Sequence, residues 1–286
     1  MNNLEKDSLC AFVNKMGDRL LSVASMIVLL LSVSGCSDDF ADERIDVRQE
    51  IMLSGGIVQH NSSRVNDAGF VAGDQMGVYI VDYQNEKPGT LMLYGNRANN
   101  YALTLSATSG CWGGSSSIYW KDNQTAIDVY GYYPYDNAME SVTEHIFTVQ
   151  VDQSAKGGDG VMSGYEKSDF LWAKKTKVQP TEELIYLNFE HRLAGVKVVL
   201  QQGNGFSDEE WDKLERIVTI ENTNLKSYIN MNTGVATPIE SNDKNIIAAS
   251  QGDDIYRAVA IPQIVRGGKA FIGLTLDICY AMSCCM

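Results

Sequence analysis

Glu183-Leu184-Ile185-Tyr186-Leu187-Asn188-Phe189 alternates strictly, with Leu184, Tyr186 and Asn188 on one side and Ile185, Leu187 and Phe189 on the other. A period of two is the signature of a strand with one buried face. Leu193 to Leu200, rich in valine, follows almost at once as a second strand. Short runs of the same kind recur upstream at Ile51–Leu53, Val78–Val81, Leu91–Tyr94, Tyr101–Leu105, Ile118–Trp120, Ala126–Tyr133, Ile146–Val151 and Phe170–Ala173. Downstream they recur at Ile217–Ile220, Val259–Ile261 and Phe271–Leu276. The run from Ala126 ends at Pro134, which has no N–H to give to a ladder. Gly55-Gly56 closes the first run, and Gly73-Asp74 with Gly77 opens the second. Only Ser207-Asp208-Glu209-Glu210-Trp211 reads as a helix start, with an N-cap serine and an acidic first turn. The pattern predicts an all-β chain of sandwich type.

Composition agrees. The chain has 286 residues, with 25 Gly, 5 Pro and 14 Tyr, and 44% of it is hydrophobic. That suits a packed core of short strands and turns. Lys and Arg number 23 against 36 Asp and Glu, a formal charge of -13. Nucleic-acid binding needs a basic footprint, so that class is excluded. With 3 His and no paired Cys motif, neither a metal site nor a cofactor is expected, and no nucleophile stands beside a base. Asp208-Glu209-Glu210 reads as a helix start with a favourable dipole rather than as a catalytic pair of acids. The chain is therefore expected not to be an enzyme.

The amino terminus reads as an address. Lys15 and Arg19 precede an apolar run from Leu20 to Val33, too short to span a bilayer core of about 20 residues. Val33-Ser34-Gly35-Cys36 closes it and resembles the bacterial lipobox. The resemblance implies cleavage before Cys36 and acylation of Cys36 (a palmitate-bearing lipoprotein), with stable anchoring by several acyl chains. The acidic run Ser37-Asp38-Asp39-Phe40-Ala41-Asp42-Glu43 resembles the signal that sends Bacteroidetes lipoproteins to the outer face of the outer membrane. On this reading residues 1–35 are a signal peptide and residues 36–48 an acidic tether. A β-sandwich is expected over residues 49–178 and a second over 179–286, the cut falling in the polar, Pro180-containing stretch Lys174 to Glu183.

Several short motifs then occur in order. They are Phe70-x-x-Gly73-Asp74-x-x-Gly77-Val78-Tyr79, Ile118-Tyr119-Trp120 and Val129-Tyr130-Gly131-Tyr132-Tyr133-Pro134-Tyr135. Asp169-Phe170-Leu171-Trp172-Ala173, Leu187-x-Phe189-x-His191-x-Leu193-Ala194, Asn232-Thr233-Gly234 and Ala258-Val259-Ala260-Ile261-Pro262-Gln263 follow. The ordered set resembles the fimbrillin-like lipoproteins of Bacteroides and relatives, the subunits of type V pili. That resemblance implies two tandem transthyretin-like β-sandwiches. It also implies assembly with other fimbrial subunits by strand exchange, once a protease has removed a first strand near Ile51 to Leu53. Arg64, in the polar loop Asn61 to Asp67, is the first candidate for that cut, with Arg44 and Arg48 as earlier ones. The implied location is the outer membrane and the fimbrium, with host or bacterial surface ligands as further partners.

The alternative is a glycan-binding outer-membrane lipoprotein, in which Trp112, Trp120 and Tyr133 stack on sugars; as packing residues the same rings belong in a core. His191 is expected to be a hydrogen-bonded structural residue. The loop Asp152 to Asp169, with Gly157, Gly158 and Gly160, offers oxygen ligands for calcium but matches no EF-hand spacing. Cys111 is expected to stand alone in the body of the fold. After Asp277 the chain runs Cys279-x4-Cys284-Cys285-Met286, which fits no sandwich strand. The expectation there is a frameshifted or truncated end, an incomplete second sandwich and no carboxyl-terminal donor strand.

Overall fold

The computed structural model describes residues 49–58, 69–158, 161–240 and 244–278. It is nearly all β, with 47% strand and 5% helix. In chain order the elements are β1 (Leu53–Ile57), β2 (Gln75–Asp82), β3 (Ala98–Leu105), β4 (Trp112–Gly113), β5 (Ile127–Tyr133), β6 (His145–Thr148), α1 (Gly164–Lys167), β7 (Leu171–Val178) and β8 (Ile185–His191). Then come β9 (Ala194–Val199), α2 (Asp208–Lys213), β10 (Leu214–Thr223), β11 (Lys226–Asn230), β12 (Val235–Ile239), β13 (Lys244–Ile247), β14 (Ala249–Ser250), β15 (Ile255–Ala260) and β16 (Ile272–Ile278). A seven-stranded sheet runs β1-β8-β7-β5-β2-β3-β4, and three-stranded sheets run β13-β10-β16, β12-β11-β6 and β14-β15-β9.

The chain forms two compact units. The first takes the chain up to Gly131 together with Ala173–Phe189; the second takes Tyr132–Trp172 and the chain from Glu190 onward. This division differs from the single cut expected between 178 and 179. The reason is local: β7 and β8 are antiparallel neighbours in one sheet, so the polar stretch around Pro180 is a connection within that sheet rather than a linker.

In the first unit, β2 and β5 lie inside the large sheet and are buried along almost their whole length. A strand covered on both faces reads as a continuous apolar run, which Met76–Val81 and Val129–Gly131 both show. Asp128 is the exception, 3% exposed, and its carboxylate accepts the Lys177 N–H at 2.9 Å. Burial, with the Asp128 charge behind it, pushes the Tyr130 hydroxyl up to about 12, and the Lys174 ammonium sits 4.6 Å from the Tyr130 ring centre. In the second unit the core gathers Phe170, Val218, Ile220, Ile229, Met231 and Ile246.

Several expectations shift in detail. Leu91–Tyr94 is a loop, not a strand. The Asn96 side chain brackets it, accepting from Met92 N at 3.2 Å and donating to Met92 O at 2.5 Å, and Gly95 turns the chain at φ +89. The helix begins at its Ser207 cap with a full capping box to Glu210, but Leu214 already opens β10. The glycine-rich stretch 152–168 carries a second capping box, Ser163 with Glu166, which starts α1. That Ser-x-x-Glu signal is legible in the sequence. The hairpin β11–β12 turns at Gly234, φ +70, within the Asn232-Thr233-Gly234 motif. Cys111, expected to stand alone, is disulfide-bonded; the other cysteines lie outside the described residues.

Candidate functional site

The sheet ends at β1, and the chain around β1 is held from Gln49 to Val58. Ile51 N donates to Ile118 O at 2.7 Å, and Trp120 N donates to Gln49 O at 2.9 Å. β1 then runs parallel to β8, in register Leu53↔Ile185 to Ile57↔Phe189. Ile185 N donates to Met52 O, and Val58 N donates to Phe189 O, both at 2.8 Å. Among the described residues β8 is the one strand beside β1 in the sheet. Its apolar anchors are Ile51 and Leu53, 5% and 6% exposed.

Gly55 and Gly56 were expected to close this strand; they lie inside it. Paired residues of neighbouring strands point to the same face, so Gly55 shares the buried face of Leu187 and Phe189, and Gly56 shares the outer face of Tyr186. A Cβ on Gly55 would meet the Phe189 ring at 2.6 Å, and one on Gly56 would collide with the Tyr186 hydroxyl. Gly131 of β5 faces the same ring, its Cβ position lying 2.8 Å from Phe189. Phe70 meets Phe189 edge-on at 5.3 Å and Trp112 edge-on at 5.1 Å. The Phe70-x-x-Gly73-Asp74 motif thus delivers an aromatic to the seat beneath β1. Its turn is held by Val71 N donating to the Asp74 carboxylate at 2.7 Å, with Gly73 at φ +95.

Trp172, His191, Gly234, Val259 and Gln263, from four further motifs, make their contacts within the second unit. His191 Nδ1 lies 2.8 Å from the Asp169 carboxylate, as expected of a hydrogen-bonded histidine. The Trp172 indole N–H donates to Met231 O at 2.8 Å, and the Arg192 guanidinium lies 4.5 Å over its ring. A Cβ on Gly234 would stand 2.6 Å from that indole. Gln153, 1% exposed, pairs with both backbone groups of Val259, donating to its O at 2.7 Å and accepting its N–H at 2.8 Å. Gln263 accepts from Asn224 N at 2.9 Å and donates to Asn222 O at 3.3 Å. Gln153 carried no signal in the sequence, because a glutamine in a polar loop looks like any other.

Trp112, Trp120 and Tyr133 are 8%, 4% and 8% exposed, so none offers an open ring face on which a sugar could stack. Asp152 Oδ1 accepts from Ser154 N and Ser154 Oγ at 2.9 and 2.6 Å, serving a turn. Among the described residues no cluster of His, Cys, Asp or Glu could hold a metal ion, and no helix is long and apolar enough to cross a membrane. Cys36, Arg44, Arg48 and Arg64 lie outside the described residues.

Comparison with known proteins fits this picture. A "Putative fimbrium tip subunit Fim1C" of Bacteroides ovatus is 28% identical over 206 residues, which is 64% of this chain and 35% of that protein. A "Putative fimbrium subunit Fim1C" of Bacteroides uniformis is 24% identical over 223 residues, 76% of this chain and 67% of that one. The chain therefore spans about a third of the first relative's length. In fold it resembles the crystal structure of a "putative cell adhesion protein" from Bacteroides uniformis, with TM-score 0.58, 19% identity, and coverage of 82% of this chain and 80% of that one. The profile described as fimbrillin-like matches residues 63–280. With most of its length inside that match, the chain belongs to the fimbrillin-like family.

Proposed function

We propose that this protein is a fimbrial subunit, brought to the outer membrane as a lipoprotein acylated at Cys36, that joins other subunits by exchange of its β1 strand. The family and the fimbrial relatives support the class of function. The observation that carries the mechanism is the place of β1: the end strand of the large sheet among the described residues, followed in the chain by the segment that holds Arg64. Removing β1 uncovers one edge of β8, whose N–H and C=O groups then accept an added strand, with alternate side chains filling the vacated positions.

The arginine candidates differ in consequence. Cuts after Arg44 or Arg48 fall before Leu53 and leave β1 joined to the body. A cut after Arg64 is the one that separates β1 from the rest of the chain. Donor strands from other subunits then occupy the β1 position, and the lipid on Cys36 leaves with the excised segment.

Mass spectrometry of surface-released material tests this. The expected mature amino terminus is Val65, lost in Arg64→Ala together with high-molecular-weight laddering on unheated gels. A terminus at Cys36 alone, with laddering unchanged, sinks the exchange mechanism and leaves a lipid-anchored accessory subunit.

A further inference from the structure

We propose that the seat of β1 selects its occupant by size. A strand entering it must carry glycine or an equally small residue at the two adjacent positions now held by Gly55 and Gly56, with a large apolar residue at the Leu53 position. This rests on the strand-exchange reading and adds to it the identity of the partner segment: an extended strand of pattern large-x-small-small-apolar.

The selection is built from the two faces of β8. On the inner face the Phe189 ring is fully buried, held edge-on by Phe70 and closed on its far side by Gly131. It reaches across the space a side chain at position 55 would need, its nearest ring atom 2.6 Å from that Cβ position. On the outer face the Tyr186 side chain lies over position 56 in the same way, its hydroxyl occupying the Cβ position. Leu53 is 6% exposed on the inner face and marks the position where bulk is accepted. Successive positions of a strand face opposite sides, so both constraints act at once and no slip by one residue escapes them. A valine at position 55 must displace the Phe189 ring, which Phe70 already holds edge-on, and one at position 56 must displace the Tyr186 hydroxyl end; overpacking of this kind weakens a fit by roughly tenfold or more.

The test uses the full mature chain nicked by limited digestion with an arginine-specific protease, its new amino terminus at Val65 verified. Fluorescent peptides of sequence Gln49–Arg64, unaltered or bearing Gly55→Val or Gly56→Val, compete for entry, followed by polarisation. The unaltered peptide is expected to enter, and each valine peptide to enter at least about tenfold less well. Tyr186→Ala in the body is expected to readmit the Gly56→Val peptide but not the Gly55→Val peptide, and Phe189→Ala the reverse. Tyr186 is half-buried on the outer face, so that arm holds even where the Phe189 variant fails to fold. If the unaltered and valine peptides enter equally, selection by size is overturned while exchange stands. If no peptide enters, the exchange reading falls and this proposal with it.

Discussion

Gly234 shows how a single missing side chain can be a packing requirement. Its φ of +70 is ground that other residues rarely occupy, and a Cβ there would stand 2.6 Å from the Trp172 indole and 2.8 Å from Arg192 Nε. Gly234→Ala is expected to lower stability by about 2–4 kcal/mol, from left-handed strain plus overpacking, read as a reduced urea midpoint. His145 is one residue through which acid acts. It is 6% exposed between the Tyr132 and Phe170 rings, and burial pulls its pKa below the usual value, against the pull of Asp136 at 4.0 Å. A lowered folded pKa means the unfolded chain binds the proton more readily. The contribution is then full above about pH 6.5 and is lost as pH falls through the folded pKa. Between pH 7 and pH 5 the wild type should therefore lose more stability than His145→Gln; equal losses would show that burial does not disfavour the charged ring. In the sequence His145 is an unremarked residue at the start of a short strand. Its ring neighbours come from β5 and from Phe170, and no local pattern announces that meeting.

Among the elements, β1 is the one whose hold is worth measuring. It rests on a ladder to β8 and on few apolar anchors, chiefly Ile51 and Leu53. Leu53→Ala removes a buried side chain and should weaken the seat by about 2 kcal/mol. That corresponds to roughly 30-fold faster hydrogen exchange at Val58 N–H, which donates to Phe189 O, with β5 amides unchanged. Unchanged protection at Val58 would mean the ladder alone holds the strand. The strand runs at Ala126–Tyr133 and Glu183–Phe189 were legible because period and continuous apolarity both survive in the observed β5 and β8. Leu91–Tyr94 misled because an apolar run says nothing of the Asn96 side chain that bends it. The β12, β13 and β14 strands escaped because their exposed, polar or very short runs lack a period, and pairing partners alone make them strands.

At the scale of the whole molecule the formal charge of -13 bears on the subunit contacts proposed above. Like-charged subunits repel beyond contact distance, and salt with a Debye length of about 10 Å at 0.1 M screens that repulsion. On the proposed strand exchange, assembly of subunits cut after Arg64, followed by light scattering, should therefore accelerate when salt rises from about 10 to about 150 mM. A slower rate would point to complementary charge at the contact. By itself the sequence determined the all-β class, the Ser207 helix start, the structural nature of His191 and the family, because periodicity, capping and ordered motifs are local properties of the chain. Only the tertiary structure decided that Trp112, Trp120 and Tyr133 are core, that β7 and β8 share one sheet, and that Gly55-Gly56 lies inside a strand. Each of those depends on which side chains arrive from distant parts of the chain: the Phe189 and Tyr186 rings fix what position 55 or 56 can hold, and nothing within β1 records their presence.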